Sequence, residues 1–359
     1  MSRPASVVIN LAALESNFQR VRQLAPRQKI MAVVKADAYG HGIGRIARRL
    51  AQADAFGVAC LEEARQLRDA GIRQPIVLLE GPFSADELPA IQQLDLEIVI
   101  HHPQQFPMLA AAGRDHALRT WLKIDTGMHR LGFPPAEVAA AREQLLGYAA
   151  VSRDIRLMTH LASANEPGDA LTTRQLQTFA DCTAGMVAER SIANSAAILD
   201  WPDSHGDWVR PGLLLYGVSP NVQRPSLDEG LQPVMTFASQ LISVKRLHKG
   251  DTVGYGATWT CPEDMPVGII AAGYGDGYPR HARSGTPILV NGQRAAMIGV
   301  ASMDMLAVDL RNAPTAQVGD PVVLWGDGLP VEEIADCAGT IPYELLCGDR
   351  KRTRFHEQG

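Results

Sequence analysis

Short runs of β-branched and other apolar residues alternate with amphipathic stretches from about residue 11 to about residue 210. Eight such runs follow one another, and their lengths are typical of buried strands. They span residues 30–34, 55–59, 76–79, 97–100, 120–124, 155–159 and 191–193, with a weaker run near Trp208. Helical periodicity fills the gaps, for example at residues 43–53, 61–70, 135–146 and 172–188. Eight β/α units predict a closed parallel barrel, although an open doubly wound sheet has the same local pattern.

Residues with chemically capable side chains come directly after the predicted strands or one or two positions later. They are Lys35, Glu80, His101, Asp125, His160, Asn194 and Arg210. A barrel gathers the carboxyl ends of all its strands around one mouth, whereas an open sheet spreads them along an edge at about 4.8 Å per strand. The positions therefore favour an α/β fold with an eight-stranded (β/α)8 TIM-type barrel.

The pattern changes after about residue 232, where helical periodicity nearly disappears. Strand-like runs now alternate with turn pairs such as Asn291-Gly292. The runs span residues 234–247, 267–271, 295–300, 306–310 and 322–325. We predict a barrel domain over residues 1–232 and a C-terminal all-β domain over residues 233–359, with the first residues of the chain available to pair with the β-domain.

Composition and charge narrow the class of protein. Of the 359 residues, 46% are hydrophobic and 20% are charged, which is typical of a globular protein. The net charge of −5 disfavours nucleic acid and anionic lipid as partners. Five cysteines without a C-x-x-C pair indicate reduced thiols rather than disulfides or a zinc site. No signal-peptide pattern and no long apolar run occur, so we expect a cytoplasmic protein without a membrane segment.

The segment VVKADAYGHG, residues 33–42, places a lysine at the end of the first predicted barrel strand. A desolvated lysine amine is suited to form a Schiff base with a carbonyl compound, and pyridoxal phosphate is the most common cofactor of this kind. The same pattern is equally typical of a lysine whose ammonium group lies at the surface.

Two other turns have the residues that an anionic cofactor would need. Asn194-Ser195 and Arg210-Pro211-Gly212-Leu213 follow the last two predicted barrel strands, where backbone N–H groups often bind phosphate. An ordinary helix N-cap also explains Asn194-Ser195. The segment LKIDTGMHRLG, residues 122–132, contains Arg130, which is able to bind a carboxylate or phenolate, although a solvated loop has a similar composition.

The β-domain places tyrosines between glycines, at Tyr255 and Tyr274, and an aspartate at Asp304. A phenol in such a turn can act as an acid or base, but Gly-Tyr-Gly is also an ordinary hairpin turn. The motifs of P-loop, dinucleotide-binding, serine-hydrolase and zinc-peptidase families are absent. Adjacent His101 and His102 lack a suitably spaced carboxylate, so we predict no metal site.

Together these segments resemble the alanine racemase family, over essentially the whole chain. The resemblance depends on residues 33–42, the turn at 123–132, VRPG at 209–212, VGYGATW at 253–259 and IPYEL at 341–345. It implies an enzyme that uses pyridoxal 5'-phosphate to interconvert L- and D-alanine. It also implies a homodimer whose active sites combine residues of both subunits.

The resemblance assigns the two catalytic bases. Lys35 holds the cofactor as a Schiff base and acts on the D-enantiomer, and Tyr255 of the second subunit acts on the L-enantiomer from the opposite face. Arg210 hydrogen-bonds the pyridine nitrogen and, because arginine keeps its proton, leaves that nitrogen unprotonated. The cofactor is then a weaker electron sink, which favours reprotonation over transamination.

The remaining roles are likewise implied by the resemblance. The phosphate is bound by Tyr39, Ser195, Gly212, Leu213 and Tyr343, with Asn194 and His160 near the cofactor. Substrate is bound by Arg130, by the Met303 backbone N–H and by Asp304. Carbamylated Lys123 positions Arg130, and its presence favours alanine over broad specificity. The substrate entryway includes Tyr274 and Arg280.

Three departures from the family pattern occur. Val300 stands where the family usually has arginine, and Asn165 stands where it usually has aspartate, both at the entryway. The tail at 347–359 lacks the usual ending, and no role is predicted for it.

Two other functions are compatible with a lysine-bearing barrel. A related pyridoxal-phosphate decarboxylase also joins a barrel to a β-domain, but decarboxylation needs no tyrosine base opposite the lysine. A pyridoxal-phosphate carrier protein consists of a barrel without a β-domain, whereas about 125 residues follow the barrel here. The biosynthetic or catabolic role of the racemase, for peptidoglycan precursors or for alanine breakdown, is left open.

Overall fold

A computed structural model describes residues 3–110, 112–113, 117–221, 224 and 226–359. It divides into two compact units. We call Phe18–Ala38 with Gly42–Leu215 the barrel unit, and Met1–Asn17, Tyr39–His41 and Tyr216–Gly359 the sheet unit. The described chain begins with strand β1 (Ser6–Asn10) of the sheet unit and helix α1 (Leu11–Leu24).

Eight parallel strands close the barrel in sequence order. They are β2 (Lys29–Val33), β3 (Ala55–Val58), β4 (Ile76–Leu78), β5 (Leu96–Ile100), β6 (Thr120–Lys123), β7 (Arg156–Met158), β8 (Arg190–Ser191) and β9 (Trp208–Val209). Closure is direct, because Lys29 and Ile30 of β2 pair with Trp208 and Val209 of β9. The predicted barrel is confirmed, and the open doubly wound sheet is excluded.

Helices occupy the gaps between the barrel strands. They are α2 (Lys35–Gly40), α3 (Ile43–Arg49), α4 (Leu61–Asp69), α5 (Leu88–Gln93), α6 (Gln105–Leu109), α7 (Val138–Gly147), α8 (Ala170–Cys182) and α9 (Ser195–Asp200). The helix predicted at 172–188 ends six residues early. The Thr183 hydroxyl donates to Phe179 O at 2.7 Å, and Gly185 has φ +75°, which breaks the right-handed course.

Charged side chains lie at the amino-terminal ends of the barrel strands. Glu97 is 1% exposed and accepts hydrogen bonds from Trp121 Nε1 at 2.8 Å and Arg156 Nη1 at 2.7 Å. The Arg156 guanidinium lies 5.2 Å from the Trp121 ring centre and 5.5 Å from that of Trp208. A buried carboxylate needs such partners, and here two cross-strand neighbours supply them.

The sheet unit contains an eight-stranded sheet in the order β13-β16-β15-β14-β17-β10-β1-β18. Its later strands and a small hairpin, β11 with β12, have these bounds: β10 (Met235–Leu247), β11 (Thr252–Val253), β12 (Trp259–Thr260), β13 (Met265–Ile270), β14 (Pro287–Val290), β15 (Gln293–Ile298), β16 (Leu306–Asp309), β17 (Pro321–Trp325) and β18 (Arg354–Gln358). Strand β1 pairs antiparallel with β10 and parallel with β18, so both ends of the described chain are in this sheet.

Two helices of the sheet unit were not predicted, α10 (Val331–Ala338) and α11 (Pro342–Cys347). Pro330 and Pro342 lie at their starts, and Gly339 ends α10 with φ +65°, which are ordinary helix-boundary signals. Both helices are short, eight residues in α10 and six in α11, although Val331, Ile334, Ala335 and Ala338 of α10 do repeat at helical spacing. Short 3-10 helices cover Ala85–Glu87, Pro135–Glu137, Pro202–Ser204, Leu213–Tyr216, Ser226–Glu229, Tyr255–Ala257 and Tyr274–Asp276. None of the helices in the described residues has the length and hydrophobicity to span a bilayer.

Candidate active site

Lys35 follows β2 at the carboxyl end of the barrel and starts the short helix α2. This helix is left-handed, because Ala36, Asp37, Ala38 and Tyr39 have φ between +52° and +54°. Each L-residue in this conformation costs roughly 1–2 kcal/mol, so contacts outside the turn must stabilise it. Asp37 provides two of them: its carbonyl accepts from Gly42 N–H at 2.9 Å and its carboxylate from Ile43 N–H at 2.7 Å.

Arg210 is 5% exposed, and its guanidinium donates to groups at the carboxyl ends of two strands, β7 and β8. Nη1 binds Ser191 Oγ at 2.6 Å, and Nη2 binds Thr159 O at 2.7 Å. Nη2 also lies 3.3 Å from His160 Nδ1. These acceptors are neutral, so the positive charge of Arg210 is not cancelled by a carboxylate in these contacts. Burial lowers the pKa of Arg210 to about 10, which leaves the group protonated at neutral pH.

His160 and Lys123 respond to this uncancelled charge. Burial is the main reason that the pKa of His160 lies well below its ordinary value, and the charge of Arg210 lowers it further. The imidazole is therefore neutral at pH 7, and its Nδ1 is the acceptor facing Arg210. Lys123, the last residue of β6, is 8% exposed. Its pKa falls to about 8 because of burial, then Arg210, Arg130 and Lys35, with a smaller opposing effect of Glu80.

The turn after β6 presents Arg130 at the surface and holds Asp125 in its own hydrogen bonds. The Asp125 carboxylate accepts from the backbone N–H groups of Gly127 and His129, each at 3.0 Å. Burial raises the pKa of Asp125, but these N–H groups together with the His129 side chain outweigh burial, and the net pKa is lowered. Asp125 thus orders the turn that presents Arg130.

A buried glutamine that the sequence analysis missed connects two of these turns. Gln175 of α8 is fully buried, and its Nε2 donates to Thr126 Oγ1 at 3.2 Å and to His160 O at 3.1 Å. Its Oε1 accepts from Ala162 N–H at 2.9 Å. The available signal was a polar residue on the face of α8 that also carries buried Thr172 and Phe179.

Asn194 and Ser195 begin helix α9, after β8. Asn194 Oδ1 accepts from Ala197 N–H at 3.1 Å, which is an N-cap bond. The buried Ser195 hydroxyl accepts from Gly212 N–H at 2.9 Å and from Leu214 N–H at 3.4 Å. The hydroxyl thus lies beside the turn that contains Gly212 and Leu213.

In the sheet unit, Tyr39 packs against two other tyrosines. Its ring centre lies 4.8 Å from that of Tyr216 and 5.9 Å from that of Tyr343. Burial, followed by the effects of Tyr343 and Cys347, raises the pKa of Tyr39, and burial raises that of Tyr343. Both phenols are therefore neutral at physiological pH and able to donate hydrogen bonds.

The other predicted residues of the sheet unit lie at its surface. Tyr255 is 72% exposed and Met303 is 50% exposed. Tyr274 and Arg280 are also exposed, and Gly275 N–H donates to Met303 O at 2.9 Å. The Asp304 carboxylate binds Arg352 of the same chain at 2.5 Å. No cluster of three His, Cys, Asp or Glu side chains suited to a metal occurs in the described residues.

Family models for the alanine racemase N-terminal and C-terminal domains match residues 9–220 and 234–356. The chain belongs to the alanine racemase family. A relative from Halorhodospira halophila, named alanine racemase, is 51% identical over 355 residues, which is 99% of this chain and 98% of that protein. Another from Nitrosococcus oceani is 54% identical over 95% of both chains. The crystal structure of the biosynthetic alanine racemase from Pseudomonas aeruginosa has a TM-score of 0.96 and 44% identity, covering 99% of this chain and all of that one. The family resemblance inferred from the sequence is confirmed.

Proposed function

We propose that this chain interconverts L- and D-alanine with pyridoxal 5'-phosphate bound at Lys35. The observation that carries the proposal is the group of cations at the carboxyl end of the barrel. Lys35, Arg130 and Arg210 act electrostatically on buried Lys123, and Arg210 donates to neutral acceptors. Such a group favours an anionic ligand, and neutral phenols such as Tyr39 and Tyr343 suit a phosphate. The residues present therefore fit the cofactor. The family match in both domains favours racemisation over decarboxylation or cofactor transport.

In this proposal each cofactor-binding residue has a defined task. Lys35 Nζ would hold the cofactor through its aldehyde. The phosphate would be bound by Tyr39, Ser195, Gly212, Leu213 and Tyr343, with Asn194 and His160 near the cofactor. Arg210 would hydrogen-bond the pyridine nitrogen, and because arginine stays protonated that nitrogen would not gain a proton.

When bound, pyridoxal phosphate withdraws electrons from an attached amino acid and makes its α-proton acidic. Lys35 Nζ takes or returns this proton on the D side. The Tyr255 hydroxyl does so on the L side, and it belongs to the second subunit of a homodimer. Exposure of Tyr255 supports this assignment, since an exposed side chain is available to a partner.

Substrate binding is assigned to three residues, Arg130 for the carboxylate together with the Met303 backbone N–H and Asp304. Lys123 supports Arg130 after carbamylation. An amine of pKa about 8 is partly neutral near pH 7.5, as addition to carbon dioxide requires. Tyr274 and Arg280 line the entryway.

The decisive experiment incubates the purified protein with pyridoxal phosphate and L-alanine in deuterium oxide. We expect optical rotation to be lost while deuterium appears at the α-carbon. Rotation and α-proton both unchanged, despite bound cofactor, would contradict the proposal. Release of carbon dioxide would instead support the decarboxylase.

The proposal places this activity in the cytoplasm, where it supplies D-alanine for peptidoglycan or serves alanine catabolism. Expression in a D-alanine auxotroph tests whether the protein supplies D-alanine in cells, because only a working racemase restores growth without added D-alanine.

A further inference from the structure

The backbone N–H next to Lys35 has a partner from a different element. The first N–H groups of a helical turn lack acceptors within the turn. Here the Ala36 N–H donates to Glu63 Oε1 at 2.7 Å. The second oxygen, Glu63 Oε2, accepts from Ala59 N–H at 2.8 Å. One carboxylate therefore joins the chain after β2 to the chain after β3.

Glu63 lies in the first turn of α4, where the helix dipole favours a negative charge. The N-cap residue of this helix, Cys60, makes no side-chain cap. The Glu63 carboxylate binds the N–H groups of Ala59, which precedes Cys60, and of Ala36. Helix α4, rather than the left-handed turn, therefore determines the position of this carboxylate. Its neighbour Glu62 is exposed.

We propose that Glu63 is a positioning residue for Lys35. Four consecutive L-residues after Lys35 are left-handed, and a right-handed or extended alternative is locally favoured at each of them. The bond to Ala36 fixes the peptide between Lys35 and Ala36 and so the point from which the lysine side chain leaves the backbone. This inference rests on the proposed function, in which Lys35 bonds to the cofactor.

The two N–H donors require a carboxylate. A carboxamide has one acceptor oxygen and an NH₂ group that cannot accept, so Glu63→Gln leaves one N–H facing another donor. Glu62→Gln makes the same charge change one residue away on the same helix, and is the matched control.

The test compares two ligands. Pyridoxal phosphate bonds to Lys35 when the amine nitrogen forms a C=N bond to the aldehyde carbon and one water leaves. The analogue 4'-deoxypyridoxine 5'-phosphate has the ring and phosphate but no aldehyde. We expect Glu63→Gln to weaken pyridoxal phosphate binding about tenfold or more and to leave the Kd of the analogue within about twofold. Borohydride reduction and mass spectrometry should show less cofactor trapped on Lys35.

Other results are equally decisive. If Glu63→Gln binds both ligands as the parent protein does, Glu63 has no role in cofactor binding and the inference is overturned. If the affinity falls equally for both ligands, Glu63 supports the site in general rather than Lys35, which also overturns the inference. A matching loss in Glu62→Gln also overturns it. If Glu63→Gln is insoluble, Glu63→Asp, which keeps the charge but is too short to reach both N–H groups, carries the same expectation. Failure of the parent protein to bind either ligand instead contradicts the proposed function.

Discussion

At the residue scale, burial first, and the neighbouring cations second, make the protonated form of Lys123 unfavourable in the folded protein. Its folded pKa of about 8 lies below the value of about 10.4 expected in the unfolded chain. Between these pH values the unfolded chain binds more protons, so the contribution of Lys123 to stability rises with pH through this window. Below pH 8 the charged amine destabilises the fold in full. A bound anion, or the carbamylation proposed above, would relieve this cost.

We therefore expect Lys123→Met to make the cofactor-free protein more stable at pH 7 in buffer free of carbon dioxide. The gain is at most roughly 3 kcal/mol and shrinks as the pH approaches 10. Thermal unfolding at several pH values measures it. Exposed Lys249→Met should show no comparable gain, and a Lys123→Met protein less stable at every pH would refute the argument.

At the element scale, helix α11 is held by an arginine from the tail that follows it. Arg350 is 4% exposed and donates to Leu346 O at 2.7 Å, to Gly348 O at 3.0 Å and to Leu345 O. These bonds satisfy carbonyls at the end of the helix that have no partner within it. The guanidinium lies 5.1 Å from the Trp325 ring centre, which fixes it against the sheet. Because α11 carries Tyr343, this contact also supports a residue assigned to the phosphate.

Arg350→Met should loosen α11 without unfolding the sheet unit. Losing charged hydrogen bonds to buried carbonyls costs about 1.5–3 kcal/mol of local stability. Hydrogen–deuterium exchange should accelerate in α11 by about tenfold or more and stay unchanged in β10. Arg354→Met, at an exposed position of β18, is the control. Equal exchange in both variants would show that Arg350 does not hold the helix.

At the scale of the whole molecule, the proposed homodimer gives a use to exposed side chains of the sheet unit. Tyr255, Met303 and Met305 are between 45% and 72% exposed, so a second chain has access to each of them. A dimer in which each site takes Lys35 from one chain and Tyr255 from the other uses them directly.

Hybrid dimers test this arrangement. Lys35→Ala and Tyr255→Phe should each be inactive from L-alanine. A heterodimer of the two, isolated with two different affinity tags, contains one site with both residues and one with neither. We expect about half of the wild-type activity per dimer, as two-fold symmetry requires. No recovery in the heterodimer would mean that both bases come from the same chain.

The barrel could be predicted because parallel strands buried on both faces are continuous apolar runs. Even β9, only two residues long, is marked by Trp208 and Val209. The positions of Lys35, His160 and Arg210 at strand ends followed from the same pattern, since a barrel brings those ends together. Lys123 falls within the predicted strand at 120–124, and Arg130 lies in the turn after it. Family membership could be inferred from local motifs for a similar reason, because the turns that carry chemistry are contiguous in sequence.

Long-range hydrogen bonds decided the features of the site that the sequence pattern did not predict. The left-handed turn after Lys35 contains no glycine in its first four left-handed positions, and one of the contacts that stabilise it comes from Glu63, 27 residues away from Ala36. Gln175 and Arg350 are polar residues that a hydrophobicity pattern assigns to the surface. They are buried because their partners come from other turns or from the end of a helix. The sequence by itself determined which segments become strands and where the reactive side chains follow them. The tertiary structure alone decided which buried polar groups hold those side chains, because a buried donor is satisfied by a partner that is near in space, whatever its distance along the chain.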